Sequence, residues 1–225
     1  MRRNIAVPVT VKCRIGVDDQ DPETALDQLA DRVFDAGADA LWVHARKAWL
    51  EGLSPRENRD IPPLEYERVY RLKQRYPETF IGINGGIRSL QEARMHLAHV
   101  DGVMIGRAAY QTPSMLAHVD LCVYGLEGEA QDFAEVIAVM AEYAAQHIAQ
   151  GGRLSHVTRH MVGLFHGLPG ARRYRQILST EATRAGAGPE VIHRAFAEID
   201  LQAASDDNSI ALELHEPRVT GDHVA

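Results

Sequence analysis

Two apolar stretches of this sequence end in glycine beside a polar or basic residue. Asn84-Gly85-Gly86-Ile87 and Ile105-Gly106-Arg107 supply glycines at which backbone N–H groups could approach a phosphate, with Arg107 as the counter-charge. Taken singly, Gly-Gly is more often a turn. It is their placement at the ends of consecutive apolar stretches that favours the phosphate reading. Lys12 is polar within a valine-rich stretch, and a surface lysine snorkelling over apolar neighbours accounts for it as well as a ligand contact does. His44 and Arg46 share one face by a period of two, although a lone histidine at a strand end is more often structural than catalytic. A second concentration is basic: residues 151–184 hold Arg153, Arg159, Arg172, Arg173, Arg175 and Arg184 against the single acid Glu181, with His156, His160 and His166 between them. Arg172 and Arg175 share a helical face suited to neighbouring phosphates, the plainer account being a solvated basic helix.

The elements that must carry these residues alternate between strand and helix. In Val7-Pro8-Val9-Thr10-Val11-Lys12-Cys13-Arg14 the valines take the odd positions and Thr10, Lys12 and Arg14 the even ones, which predicts a strand with one aliphatic face. Asp21-Pro22 reads as N-cap and first turn of a helix running to Gly37. Ala40–Ala45 is a second strand, followed by a long polar stretch, Arg46–Pro63, and a helix closed by Pro77. Phe80–Asn84 is a third strand, Ser89 to Glu92 a capping box opening a helix, and Gly102–Gly106 a fourth strand. Aliphatic residues hold the odd positions of all these strands, while Lys12, His44, Asn84 and Gly106 are even. A doubly wound sheet wants both faces apolar. Aliphatic outsides with polar or small insides instead fit a (β/α)8 barrel, whose active site lies at the C-terminal strand ends. Beyond Thr112-Pro113 the pattern turns helical, with segments near 113–124, 131–149, 154–166, 171–183 and 189–201. The expected organisation is α/β: a partial TIM barrel over 1–112, an all-α domain over 113–201, and a disordered tail over 202–225.

Composition bounds the function classes. The 225 residues are 45% hydrophobic and 24% charged, which describes a folded protein. No run nears 18 apolar residues and the N-terminus has no signal-like core, so a soluble, cytoplasmic protein without a membrane partner is expected. Cys13 and Cys122 lack CxxC spacing, giving no support to a zinc site or a disulfide framework. The net charge of -7 has the wrong sign for a protein that coats nucleic acid, so RNA binding would need the local patch at 151–184.

The runs Val9-Thr10-Val11-Lys12-Cys13-Arg14-Ile15-Gly16, His44-Ala45-Arg46-Lys47-Ala48-Trp49-Leu50, Gly52-Leu53-Ser54-Pro55-Arg56-Glu57-Asn58-Arg59, Ile83-Asn84-Gly85-Gly86-Ile87 and Gly102-Val103-Met104-Ile105-Gly106-Arg107 resemble the flavin-dependent tRNA-dihydrouridine synthases of the A type. The similarity extends through Thr158-Arg159-His160-Met161 and Gly170-Ala171-Arg172. It implies an FMN-containing barrel followed by a helical domain that grips tRNA, reducing uridine C5=C6 to dihydrouridine with NADPH as the reductant. By position, the resemblance implies that Lys12 and His44 contact the flavin. It likewise places Asn84, Gly85, Gly86, Gly106 and Arg107 around the FMN phosphate, and implies that Arg56, Arg59, Arg172 and Arg175 touch tRNA. It also implies that Arg46 comes within reach of the base. No metal and no obligate protein partner are implied.

The resemblance begins just before the family's fifth barrel strand. It therefore implies a truncated chain, inactive alone, in which Met1 is internal to a longer reading frame and the loop with the family's acid cysteine is missing. Cys13 is no substitute, since it lies on the opposite strand parity from Lys12. A non-catalytic RNA-binding remnant is the second reading. An unrelated phosphate-binding barrel enzyme is the third, and the long H-A-R-K-A-W to E-N-R stretch weighs against it.

Overall fold

In the computed structural model, which describes residues 4–201, the first valine-rich stretch forms strand β1 (Thr10–Arg14). It starts later than its alternation predicts because Pro8 has no N–H to give and the N–H of Val9 donates to the Asp39 carboxylate at 2.7 Å. Helix α1 (Pro22–Asp35) follows, its N-cap Asp21 accepting from the N–H groups of Glu23 and Thr24. Gly37, at φ 83°, turns the chain out of the helix in the left-handed region that glycine occupies without strain. Strand β2 (Ala40–His44), helix α2 (Tyr66–Arg75), strand β3 (Phe80–Asn84), helix α3 (Leu90–Leu97) and strand β4 (Gly102–Met104) complete the alternation. The four strands are parallel, in the order β1-β2-β3-β4. Strand β4 stops at Met104 instead of Gly106, and the Asn84 amide nitrogen donates to the Met104 carbonyl at 2.6 Å where the ladder ends. At α3 the Ser89 hydroxyl caps the N–H of Glu92. The Glu92 carboxylate reaches back to Arg88, one residue earlier than a capping box predicts.

The odd-numbered side chains form the core. Leu41, Val43, Ile81 and Ile83 are fully buried against Leu26 and Ala30 of α1, Val69 and Leu72 of α2 and Ala93 of α3. Each such aliphatic side chain contributes about 1.5–3 kcal/mol by leaving water. Arg68 of α2 is buried with them, donating to the carbonyls of Pro22 and Glu23 and to Asp27 at 2.5 Å, so a guanidinium clamps α2 to the first turn of α1. On the even face Trp42 packs against Phe80 with ring centroids 5.4 Å apart. Gly82 and Gly102 make room for these rings: a Cβ on Gly82 would lie 2.3 Å from the indole.

The described residues fall into two compact units, one holding the chain up to Tyr110 together with His118–Gly128, the other Gln111–Ala117 together with residues from Glu129 onward. Residues 113–124 form a 3-10 turn (Pro113–His118) and a short helix α5 (Val119–Cys122) in place of one helix; α4 (Arg107–Gln111) precedes them. The second unit contains α6 (Phe133–Ala149), α7 (Leu154–Thr158), α8 (Ala171–Thr180) and α9 (Glu190–Phe196), around a core of Ile137, Leu154, Phe165, Tyr174, Ile177 and Ile192. The helix predicted over 154–166 ends at Thr158. Past it the backbone closes i→i+3 turns, and the Tyr174 hydroxyl takes up the Met161 carbonyl at 3.1 Å. The helices predicted to 183 and 201 likewise end early, at Thr180 and Phe196. The tail expected over 202–225 lies outside the described residues.

Candidate functional site

Because the strands are parallel and in register, even residues line up in rows across the sheet. Lys12, Trp42, Gly82 and Gly102 form one row, and Arg14, His44, Asn84 and Met104 form the next, at the C-terminal ends. The period of two thus brings Lys12, His44 and Asn84 together with a residue that had not been singled out, Arg14. Its even parity was the available signal. One guanidinium nitrogen of Arg14 donates to the carbonyls of Lys47 (2.7 Å) and Asn58 (2.9 Å), tying the strand end to the long loop.

His44 is surrounded by cations. Burial, then the charges of Arg14, Lys12, Arg46 and Arg107, push its imidazole down to about 4, so the ring is neutral at physiological pH. Its Nδ1 is buried and has no hydrogen-bond partner among the described residues. Burial and the neighbouring Arg14 also lower Lys12. Arg46 turns into the loop, donating to the carbonyls of Pro62 and Asp60, the latter at 3.2 Å, while its Nε is buried without a partner among the described residues.

Gly85 and Gly86 hold φ of 120° and 72°, a conformation that side chains rarely adopt. The pair is pressed against other side chains: a Cβ on Gly86 would lie 2.6 Å from Leu64 Cδ1 and 3.0 Å from the Tyr66 hydroxyl, and one on Gly85 would lie 3.2 Å from the His44 ring. The Tyr66 hydroxyl donates to the Gly85 carbonyl at 2.7 Å. Gly106, in contrast, opens onto free space. Arg107, expected as a phosphate counter-charge, is already paired. Its two terminal nitrogens donate to the Asp60 carboxylate at 2.7 and 3.1 Å, which holds that carboxyl below the usual range. Asn84 commits its amide nitrogen to Met104 and keeps its carbonyl oxygen as an acceptor.

The stretch Arg46–Pro63 is a braced loop. Asn58 bridges the backbone of Trp49 through both side-chain ends (2.8 and 2.5 Å), Asp18 accepts from Leu50, and Ser54 and Glu57 exchange side chain-to-backbone bonds. Arg56 and Arg59 are carried on its 3-10 turn, both exposed, with Arg59 Nε donating to Pro55. In the second unit Arg172 and Arg175 stand one turn apart on α8. Arg172 is exposed, and Arg175 is half-buried beside the stripe formed by Tyr174 and Leu178. Cys13 points away from the Lys12 face by parity and packs against the core, where burial pushes its thiol up to about 11; Cys122 lies half-buried in α5. Among the described residues no three histidines, cysteines or acids cluster as a metal site, and no helix is long and apolar enough to cross a membrane.

The strand-end cations, the neutral histidine and the glycine loop lie together at the C-terminal ends of the sheet. Comparison with known proteins gives the site a lineage. Residues 1–200 match the family model described as dihydrouridine synthase. The chain is 52% identical over 199 residues to the tRNA-dihydrouridine(20/20a) synthase of Shewanella oneidensis, covering 88% of this chain and 59% of that protein. It is 50% identical to the proteins of the same name from Vibrio cholerae (90% of this chain, 62% of the relative) and Escherichia coli K12 (87% and 57%). The chain therefore spans about three-fifths of the length of the curated relatives it matches. With the matched region running through both the glycine loop and the arginine-bearing helix, the chain belongs to the dihydrouridine synthase family.

Proposed function

We propose that the first unit binds FMN at the C-terminal ends of β1 to β4, and that the chain takes part in reducing tRNA uridine to dihydrouridine, with NADPH as the electron source. The observation that carries this reading is the buried, unpartnered Nδ1 of His44 among four cations and beside a glycine loop that no side chain could share. Such a group costs free energy unless a ligand meets it. Lys12, Arg14 and His44 would hold the ring end of the flavin, and Asn84, Gly85, Gly86, Gly106 and Arg107 the phosphate end. Bound FMN supplies hydride chemistry toward an electron-poor ring. Arg56 and Arg59 on the braced loop, with Arg172 and Arg175 on α8, would hold RNA phosphates while the base leaves its stack. The names of the relatives point to uridines 20 and 20a as the targets.

On this reading the parallel sheet is the C-terminal half of a (β/α)8 barrel, the helices of the second unit form a tRNA-binding domain, and the protein works in the cytoplasm. No acid role is assigned to either thiol: Cys13 is half-buried on the other face of the sheet, where burial raises its pKa and makes it a poor proton donor, and Cys122 lies in α5. The chain on its own is therefore expected to bind tRNA without reducing it.

Titration with FMN, followed by quenching of flavin fluorescence, tests the cofactor site. Weak, saturable binding is expected, reduced at least fivefold by Lys12→Met or His44→Ala. Binding unaffected by both substitutions would refute the site. Dihydrouridine formed by the isolated chain from tRNA, FMN and NADPH would refute the expectation that it binds tRNA without reducing it.

A further inference from the structure

We infer that Tyr66 is a positioning residue for the phosphate end of the flavin: its hydroxyl fixes the peptide between Gly85 and Gly86 so that the Gly86 N–H is presented to the anion. The inference rests on the flavin reading above. In a trans peptide the carbonyl of one residue and the N–H of the next point in opposite directions, because the unit is planar. With the Gly85 carbonyl held by Tyr66 at 2.7 Å, the Gly86 N–H is turned away from Tyr66, and nothing among the described residues accepts from it. Glycine at φ 120° and 72° leaves this loop free to adopt other conformations. The Leu64 methyls and the Tyr66 hydroxyl both close in on the side of Gly86 that a Cβ would occupy.

Tyr66 is itself held. Its ring meets His96 of α3 edge-on at 4.4 Å. Burial raises the Tyr66 phenol, which keeps the proton that it donates. Because the Arg107 guanidinium is occupied by Asp60, the grip on a phosphate falls chiefly to backbone N–H groups, and their direction becomes decisive.

Riboflavin lacks only the phosphate of FMN, so the ratio of the two affinities isolates this end of the site. The 225-residue chain, its Tyr66→Phe variant and a Tyr70→Phe variant are each titrated with FMN and with riboflavin by flavin fluorescence, with thermal unfolding recorded in parallel. Tyr70→Phe removes the hydroxyl that meets His96 without touching Gly85, and controls for loosened packing. Tyr66→Phe is expected to weaken FMN about three- to tenfold while riboflavin changes less than twofold; Tyr70→Phe is expected to leave the ratio unchanged. Equal weakening of both flavins by Tyr66→Phe, no effect on either, or the same ratio change from Tyr70→Phe would overturn the inference. A wild-type chain that binds FMN no tighter than riboflavin, or neither flavin, would overturn the flavin-phosphate reading itself and the inference with it.

Discussion

Replacing His44 with glutamine should remove a pH-dependent weakness that is built into the wild-type chain. In the folded protein burial and four cations lower the imidazole from 6.5 to about 4, whereas the unfolded chain titrates it normally. Between those values the unfolded state binds a proton that the native state refuses, so stability falls as pH drops through this window and is unaffected by this group above about pH 7. At about 1.4 kcal/mol per pH unit the ceiling is roughly 3 kcal/mol. Partial exposure of the ring and screening by water reduce the expected effect to about 1–2 kcal/mol. Urea unfolding of wild type and His44→Gln at pH 7.5, 6.0 and 4.5 measures it. Other histidines and carboxylates titrate alike in both proteins, so the wild-type advantage over the variant should shrink by about 1–2 kcal/mol from pH 7.5 to 4.5. Added salt should remove only part of this difference, since desolvation is the larger cause and is not screened. Parallel stability curves, or an NMR titration placing His44 at or above its ordinary value, would refute the reasoning.

Gly82→Ala should cost about 1–3 kcal/mol and shift Trp42 fluorescence, because the added Cβ would sit 2.3 Å from the indole; an unchanged melting temperature and spectrum would count against the close approach. Arg68→Met should destabilise by about 3–5 kcal/mol in urea unfolding, since it strips Asp27 and the carbonyls of Pro22 and Glu23 of a buried partner; a loss under about 1 kcal/mol would show the clamp to be dispensable. The double variant Arg172→Glu, Arg175→Glu should weaken tRNA binding and lower the log-log salt slope by about 0.7–0.9 per lost phosphate contact. Identical slopes in a salt titration would remove α8 from the RNA interface.

By itself the sequence determined what depends on neighbours along the chain. A period of two assigned Leu41, Val43, Ile81 and Ile83 to one face and Lys12, His44 and Asn84 to the other, and the sheet keeps both assignments. Asp21 and Gly37 marked the ends of α1 because capping is satisfied within a few residues. The same local reasoning overran at 154–166, where apolar residues serve a series of buried turns whose carbonyl at Met161 is taken by Tyr174, 13 residues away. Tertiary structure alone decided the rest of the site. Tyr66 reaches Gly85 across 19 residues, Arg107 finds Asp60 across 47, and Arg14 meets Asn58 across 44. No local period encodes these meetings. They depend on where the helices and the braced loop come to rest against the parallel sheet, which is set by packing between elements distant in sequence. The identities of His44 and the two glycines could be read from the chain, but the cations that keep His44 neutral and the hydroxyl that fixes the glycine loop emerge only once the strands stand side by side.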